Sequence, residues 1–174
     1  MNCQGCGATM RYMDGRNYFV CDYCTSFHFS DESTASPDGV KDFGDQSDKE
    51  CPVCHVALVS GAIEGHSLLH CAKCRGVLAT NDAFGVIVPI LRARGTDDPG
   101  PRKPINPEDL QRQVQCPQCR RVMDVHPYYG PGAVVVDTCF QCRLIWLDHG
   151  EIAAIERAPG RRPGRPEQTL ANDE

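Results

Sequence analysis

Residues 116–156 read CPQCRRVMDVHPYYGPGAVVVDTCFQCRLIWLDHGEIAAIE. Two Cys-x-x-Cys pairs, Cys116/Cys119 and Cys139/Cys142, enclose 19 residues. Each pair sets two sulfurs on one side of a tight turn. The apolar runs Val134-Val135-Val136 and Ile145-Trp146-Leu147 flank the second pair at strand length, and the Pro/Gly-rich stretch from His126 to Gly132 supplies a turn. Asp148 is a helix N-cap residue type, and Glu151 follows three positions later, the spacing of a capping box, ahead of Ile152, Ala153, Ala154 and Ile155. The stretch therefore predicts a β-hairpin closed by two sulfur knuckles and followed by a short capped helix.

The same layout recurs upstream. All 12 cysteines fall into six Cys-x-x-Cys pairs: Cys3/Cys6, Cys21/Cys24, Cys51/Cys54, Cys71/Cys74, Cys116/Cys119 and Cys139/Cys142. Taken two by two, they enclose 14, 16 and 19 residues, close to the spacing of zinc sites built from two such pairs. An apolar residue stands four positions after each first pair, at Met10, Leu58 and Met123. Strand-like runs flank each second pair, at Tyr18-Phe19-Val20 and Phe27-His28-Phe29 in unit one and at Leu68-Leu69 and Val77-Leu78-Ala79 in unit two. Ser30 and Thr80 then occupy the cap position of Asp148, although no apolar helix follows Ser30.

The expected fold class is a small metal-stabilised α+β protein of three tandem zinc ribbons, with short C-terminal helices in units two and three. The boundaries read as ribbon one at 1–30, an acidic linker at 31–48, ribbon two with its helix at 49–94, a Pro-rich linker at 95–113, ribbon three at 114–158 and an Arg/Pro tail at 159–174. Residues 31–50 hold seven acids against two lysines, which predicts a solvated segment. Pro99, Pro101, Pro104 and Pro107 favour an extended spacer, with a brief helix predicted from Pro107 to Gln113.

Each unit is near or below the roughly 40 residues at which a domain needs a metal, disulfides or oligomerisation. A tetrathiolate zinc supplies on the order of 10–16 kcal/mol of apparent binding at neutral pH. So few apolar side chains cannot match that. The opening residues MNCQGCGATM lack the basic segment and apolar run of a secretory signal, so the expectation is reduced thiols in the cytoplasm, not disulfides. No apolar run approaches the roughly 20 residues that span a bilayer. The metal ligands expected are therefore all twelve cysteines, four to each of three structural Zn²⁺ ions.

The third unit resembles the TFIIB-type zinc-finger family, small zinc ribbons whose pattern runs CPxC and then CxxCxGxWLDxGE. The resemblance is carried by Cys116, Pro117, Cys119, Asp137, Cys139, Cys142, Trp146, Leu147, Asp148, Gly150 and Glu151, with Leu144 where the family has glycine. Unit two is similar more loosely, through CPVC and CAKCRGVL: it keeps Gly76 but has Leu78 at the tryptophan position and Thr80 at the aspartate position. Unit one keeps only the cysteines and their spacing. The resemblance implies a zinc-binding ribbon fold, and the family name alone does not license a role in transcription.

Chemistry beyond metal binding finds little support in the sequence. Four thiolates close a zinc site, whereas catalytic zinc keeps a position open. His28, His55, His66, His70, His126 and His149 are read as ribbon or cap histidines, and Asp148 with Glu151 as a capping box rather than an acid pair. No phosphate loop, nucleophile elbow or His-Glu-x-x-His occurs, and no βαβ pattern surrounds a Cys-x-x-Cys to suggest thiol-redox activity, so no catalytic residue is assigned.

The formal net charge is −5, and twelve thiolates holding three Zn²⁺ would lower it to about −11. Such a body repels phosphate. Nucleic-acid binding is thereby disfavoured, except through the tail, where Arg161, Arg162 and Arg165 lie close together and Arg162-Pro163-Gly164-Arg165-Pro166 loosely resembles an AT-hook with Pro163 in the first arginine's place. Tyr128 and Tyr129 at the hairpin tip are read first as locally packed and second as candidates to stack on a base or anchor a protein partner. The expectation is a non-enzymatic zinc-binding adaptor for a protein partner, with a nucleic-acid-associated or transcription-related factor using the Arg-rich tail as the alternative and a thiol-redox zinc protein as the last-ranked reading.

Overall fold

The structure is a computed structural model that describes residues 1–13, 18–24, 27–29, 38–95, 105, 107–130 and 132–159. It is a small α+β protein. In the first unit, β1 (Arg11–Met13), β2 (Tyr18–Val20) and β3 (Phe27–Phe29) form a three-stranded antiparallel sheet in the order β1-β2-β3. Ser30 and the segment 31–37 lie outside the described residues, as do 96–104 of the Pro-rich segment and the tail from 160 onward.

The rest of the described chain builds one seven-stranded antiparallel sheet. Its strands are β4 (Lys41–Glu50), β5 (Ala57–Ile63), β6 (His66–His70), β7 (Val77–Thr80), β8 (Asp124–Pro127), β9 (Val135–Cys139) and β10 (Leu144–Leu147), in the order β4-β5-β6-β7-β10-β9-β8. Each unit thus contributes a three-stranded meander, one strand more than the expected hairpin, because the stretch between the first knuckle and the tip also pairs. Glu64 and Gly65 join β5 to β6, both with positive φ (51° and 77°), the backbone of a type I′ turn whose twist matches that of the flanking strands.

Units two and three meet along β7 and β10. The pairs are Leu144↔Thr80, Ile145↔Ala79, Trp146↔Leu78 and Leu147↔Val77. Aligned on their cysteines, Leu78 corresponds to Trp146 and Gly76 to Leu144, so exchanging the two units maps this pairing onto itself. The local two-fold axis passes through the Leu78/Trp146 pair. A Cβ on Gly76 would lie 2.2 Å from the Trp146 ring, whereas Leu144 and Leu78 pack in one buried cluster. Leu144 and Leu78 are therefore complementary to Gly76 and Trp146 across the axis. The large tryptophan of unit three fills the space over the glycine of unit two, and two leucines share the equivalent space on the other side of the axis.

Two helices lie on the described residues. α1 (Asn81–Arg94) starts as expected at Thr80, whose hydroxyl accepts a hydrogen bond from the Ala83 N–H at 3.1 Å. α2 (Glu151–Arg157) is only seven residues long. Both pack on one sheet face over a core that includes Ile63, Val77, Ala79, Phe84, Ile87, Leu91, Val136, Ile145, Leu147, Ile152 and Ile155. The opposite face carries Leu58, Leu78, Val114, Met123, Leu144 and Trp146 together with the cysteines of units two and three.

Both linker expectations change. The acidic segment is not a linker over its second half, since Lys41–Glu50 is the edge strand β4 and Asp38 and Val40 are buried. Its backbone pairs with β5 through two register shifts, and Gly44 adopts φ 77°, so the charged side chains keep their water while the main chain extends the sheet. The helix expected over Pro107–Gln113 contracts to a 3₁₀ turn at Asp109–Gln111.

The capping box at Asp148 is only half formed. The Asp148 N–H donates to Glu151 Oε2 at 2.7 Å, but the Asp148 carboxylate is engaged elsewhere and Gly150 occupies the cap position. Asp38 supplies the missing acceptors, taking the Gly150 N–H at 2.8 Å and the Ala153 N–H at 3.1 Å. Its carboxylate out-competes that of Asp148 because the latter is held by Arg112 and by the Trp146 indole N–H.

Candidate metal centres

Each predicted cysteine quartet is brought together. Cys3, Cys6, Cys21 and Cys24 form one group, Cys51, Cys54, Cys71 and Cys74 a second, and Cys116, Cys119, Cys139 and Cys142 a third, with the four Sγ atoms of each within 4.8 Å of one another. Cross-knuckle Sγ–Sγ separations include 3.4 Å for Cys3/Cys24, 3.5 Å for Cys6/Cys21, 3.6 Å for Cys51/Cys74 and 3.6 Å for Cys119/Cys139. A disulfide would need about 2.05 Å. A tetrahedral zinc with Zn–S bonds of about 2.3 Å sets sulfurs about 3.8 Å apart, so the quartets fit a metal.

One backbone device shapes the knuckles. The N–H of the residue after the second cysteine bonds the carbonyl of the first: Gly7 to Cys3, His55 to Cys51, Arg75 to Cys71 and Arg120 to Cys116, at 2.8–2.9 Å. Those residues take positive φ (76°, 56°, 60° and 62°), as does Arg143 (55°) in the last knuckle. Backbone N–H groups then point at sulfur, as from Cys54 to Cys51 Sγ (3.3 Å), Cys74 to Cys71 Sγ (3.4 Å) and Cys142 to Cys139 Sγ (3.4 Å). Donors of this kind stabilise thiolate over thiol.

Charge within the quartets supports the same reading. Burial drives the Cys74 thiol far above its ordinary value, and burial together with the neighbouring sulfurs pushes Cys142 up to about 12. Cys119 falls to about 7, chiefly through its hydrogen bond from the Arg121 backbone. Four thiolates this close repel one another, and a divalent cation is what lets all four ionise. The first cysteine of every knuckle is buried, and the second faces outward, most openly at Cys6 and Cys24.

A second buried group lies beside the third quartet. Asp137 is fully buried opposite Trp146 on β9, and Arg112 joins it to Asp148 through its two terminal nitrogens. The Trp146 Nε1–H donates to Asp148 Oδ1 at 3.1 Å. Burial pushes the Asp137 carboxyl up against the pull of Arg112, and burial likewise raises Glu151 to about 8. This network fixes the chain entering the knuckle at Cys116. Arg112 lies within the segment expected to be a linker, and the one sequence signal for it is an aspartate, Asp137, in an apolar strand with no cation nearby.

The tip tyrosines separate. Tyr128 packs edge-on against Phe84 of α1, with ring centroids 5.4 Å apart, and is half-buried. Tyr129 is 90% exposed. Arg161, Arg162 and Arg165 lie outside the described residues. His28, His55, His66, His70, His126 and His149 do not enter any quartet among the described residues. No described helix is long and apolar enough to cross a membrane. No protein-family model, no curated protein and no solved structure matches the chain.

Proposed function

We propose that the chain is a non-enzymatic zinc protein in which three structural Zn²⁺ ions hold ribbons of the TFIIB type, and that it works in the cytoplasm as an adaptor for a protein partner. The observation that carries the metal assignment is the convergence of all twelve cysteines into three four-sulfur groups of tetrahedral size. Four thiolates fill the coordination shell of zinc and leave no position for a substrate or an activated water, which favours a structural over a catalytic metal. Exposed apolar side chains at Tyr23, Val122, Tyr129 and Phe140 support the adaptor role.

Native mass spectrometry of the protein purified with zinc tests the first part. Three zinc ions per chain are expected, and fewer would overturn the assignment. For the second part, a photo-crosslinking residue at Tyr23 or Val122 is expected to give protein adducts in the native host. Adducts only with nucleic acid, or none, would overturn the adaptor reading.

A further inference from the structure

Three rings form a row on the β8 edge of the large sheet. His126 lies near-parallel to Tyr129, with centroids 5.4 Å apart and an angle of 18°, and near-parallel to Phe140, with centroids 6.5 Å apart and an angle of 10°. The two flanking rings are 90% and 66% exposed. The imidazole is held in place, since its Nε2 lies 3.2 Å from the Thr138 hydroxyl and its Nδ1 lies 3.0 Å from the Pro127 carbonyl oxygen. Tyr129 and Phe140 come from different loops, one at the hairpin tip and one inside the Cys139/Cys142 knuckle, so the row exists only when both strands are in register.

Packing explains little of this row, because rings 90% and 66% exposed gain little from burial. Tyr128, which does pack inward, shows the alternative one residue away. Planar rings with exposed faces attract planar cations through the negative potential of the π-system, and arginine stacks on them better than lysine because its guanidinium is flat and weakly hydrated.

The surroundings add negative charge. Asp124 is exposed on the same face of β8 as His126, and it pairs across the strands with Thr138, the residue that bonds the imidazole. Of the three arginines of this unit, Arg120 and Arg143 are paired with Glu50 (3.3 Å) and Asp82 (2.7 Å), and Arg121 is exposed and included in the charge count that follows. Residues 116–149 carry no net formal charge, and a zinc held by four thiolates brings this unit to about −2. A phosphate backbone is disfavoured by the same charges that favour a cation.

We propose that the Tyr129–His126–Phe140 row, with Asp124 beside it, is a docking site for an arginine side chain presented by a basic segment of a partner protein. The proposal rests on the adaptor reading and names the chemistry of its partner. Arginine stacks its guanidinium on the row, and the Asp124 carboxylate accepts its N–H groups.

The test titrates the full-length, zinc-loaded protein with a capped Gly-Arg repeat octapeptide, its Gly-Lys counterpart and a thymidine octanucleotide, following the ring resonances of His126, Tyr129 and Phe140 by NMR. The arginine peptide is expected to shift all three rings and to bind at least fivefold more tightly than the lysine peptide. The double variant Tyr129→Ala/Phe140→Ala weakens it tenfold or more at an unchanged zinc count, and Asp124→Asn weakens it severalfold.

Equal binding of the lysine peptide, ring shifts caused by the oligonucleotide instead, or binding that survives the double variant would each overturn the proposal. So would ring shifts of the same kind on deleting residues 160–174, which would show that the chain's own arginines already occupy the row. Protein adducts from Tyr23 or Val122 without arginine binding would sink this proposal and leave the adaptor reading standing, whereas their absence would sink the adaptor reading itself.

Discussion

Gly76 has no side chain because Trp146 of the next unit occupies the space where one would project, 2.2 Å from the position of a Cβ. Gly76→Ala is therefore expected to destabilise the zinc-loaded protein by about 1–3 kcal/mol, the usual cost of overpacking a buried site. The same substitution in a Trp146→Leu background is expected to cost little, and urea unfolding of the four members of this cycle measures the coupling. Equal costs in both backgrounds would show that the glycine is needed for its backbone and not for the indole. Glu151 offers a pH-dependent readout. Burial lifts its carboxyl from an ordinary 4.5 to about 8, so between those values the folded chain keeps a proton that the unfolded chain has released. Stability contributed by this group is complete at low pH and declines as the pH rises toward 8. Thiolate protonation releases metal in acid, so the useful window is about pH 6 to 8.5. Glu151→Gln still accepts the Asp148 N–H and is expected to flatten the decline in unfolding midpoint across that window, while an unchanged slope would assign the pH dependence to another group.

Seven residues are too few for an independent helix, and α2 is held at both ends by side chains from elsewhere in the chain. Asp38 caps its first turn, and the buried Arg92 of α1 donates through Nη1 to the Ile155 carbonyl at 2.9 Å and the Ala158 carbonyl at 3.0 Å. An anion at the N-terminus and a cation at the C-terminus also complement the helix dipole. Asp38→Ala is expected to cost about 1–2 kcal/mol, as for a lost N-cap. Hydrogen exchange at the Gly150 and Ala153 amides should speed up while Thr80-capped α1 stays protected, and unchanged exchange at Ala153 would argue against the cap. These elements show what the sequence made legible. The strands beside each second knuckle and the Thr80 cap were readable because their signals are local: apolar runs next to fixed cysteines, and a hydroxyl one residue before a helix. Asp38, Arg92 and Arg112 act on partners 112, 63 and 25 residues away, and no local pattern marks them. The edge strand β4 reads KDFGDQSDKE, which lacks the alternation of a half-buried strand because its contribution is mainly its backbone.

At the scale of the whole molecule, twelve similar cysteines do not make three similar modules. The first quartet belongs to its own three-stranded sheet, with a small buried cluster of Cys3, Met10 and Cys21. The second and third quartets share one sheet and one buried cluster, in which Leu78, Leu144 and Trp146 lie together with cysteines of both. The local two-fold axis between units two and three makes them halves of a single core, so metal bound in one half would stabilise the interface that the other half packs against. Cys142→Ser alters a partly exposed ligand and leaves the buried sulfurs in place, so it tests this coupling without opening a cavity. The expected outcome is loss of one metal ion and faster hydrogen exchange at Leu78 and Leu69 in unit two, with the second quartet yielding its metal to a chelator sooner than in the wild type. Cys24→Ser, the matching change in unit one, is expected to empty only the first quartet and to leave Leu78 exchange unchanged. If Leu78 stays fully protected when the third quartet is empty, the two halves fold independently and the shared sheet is a contact between finished domains. If both variants speed Leu78 exchange equally, the first unit also contributes to that core.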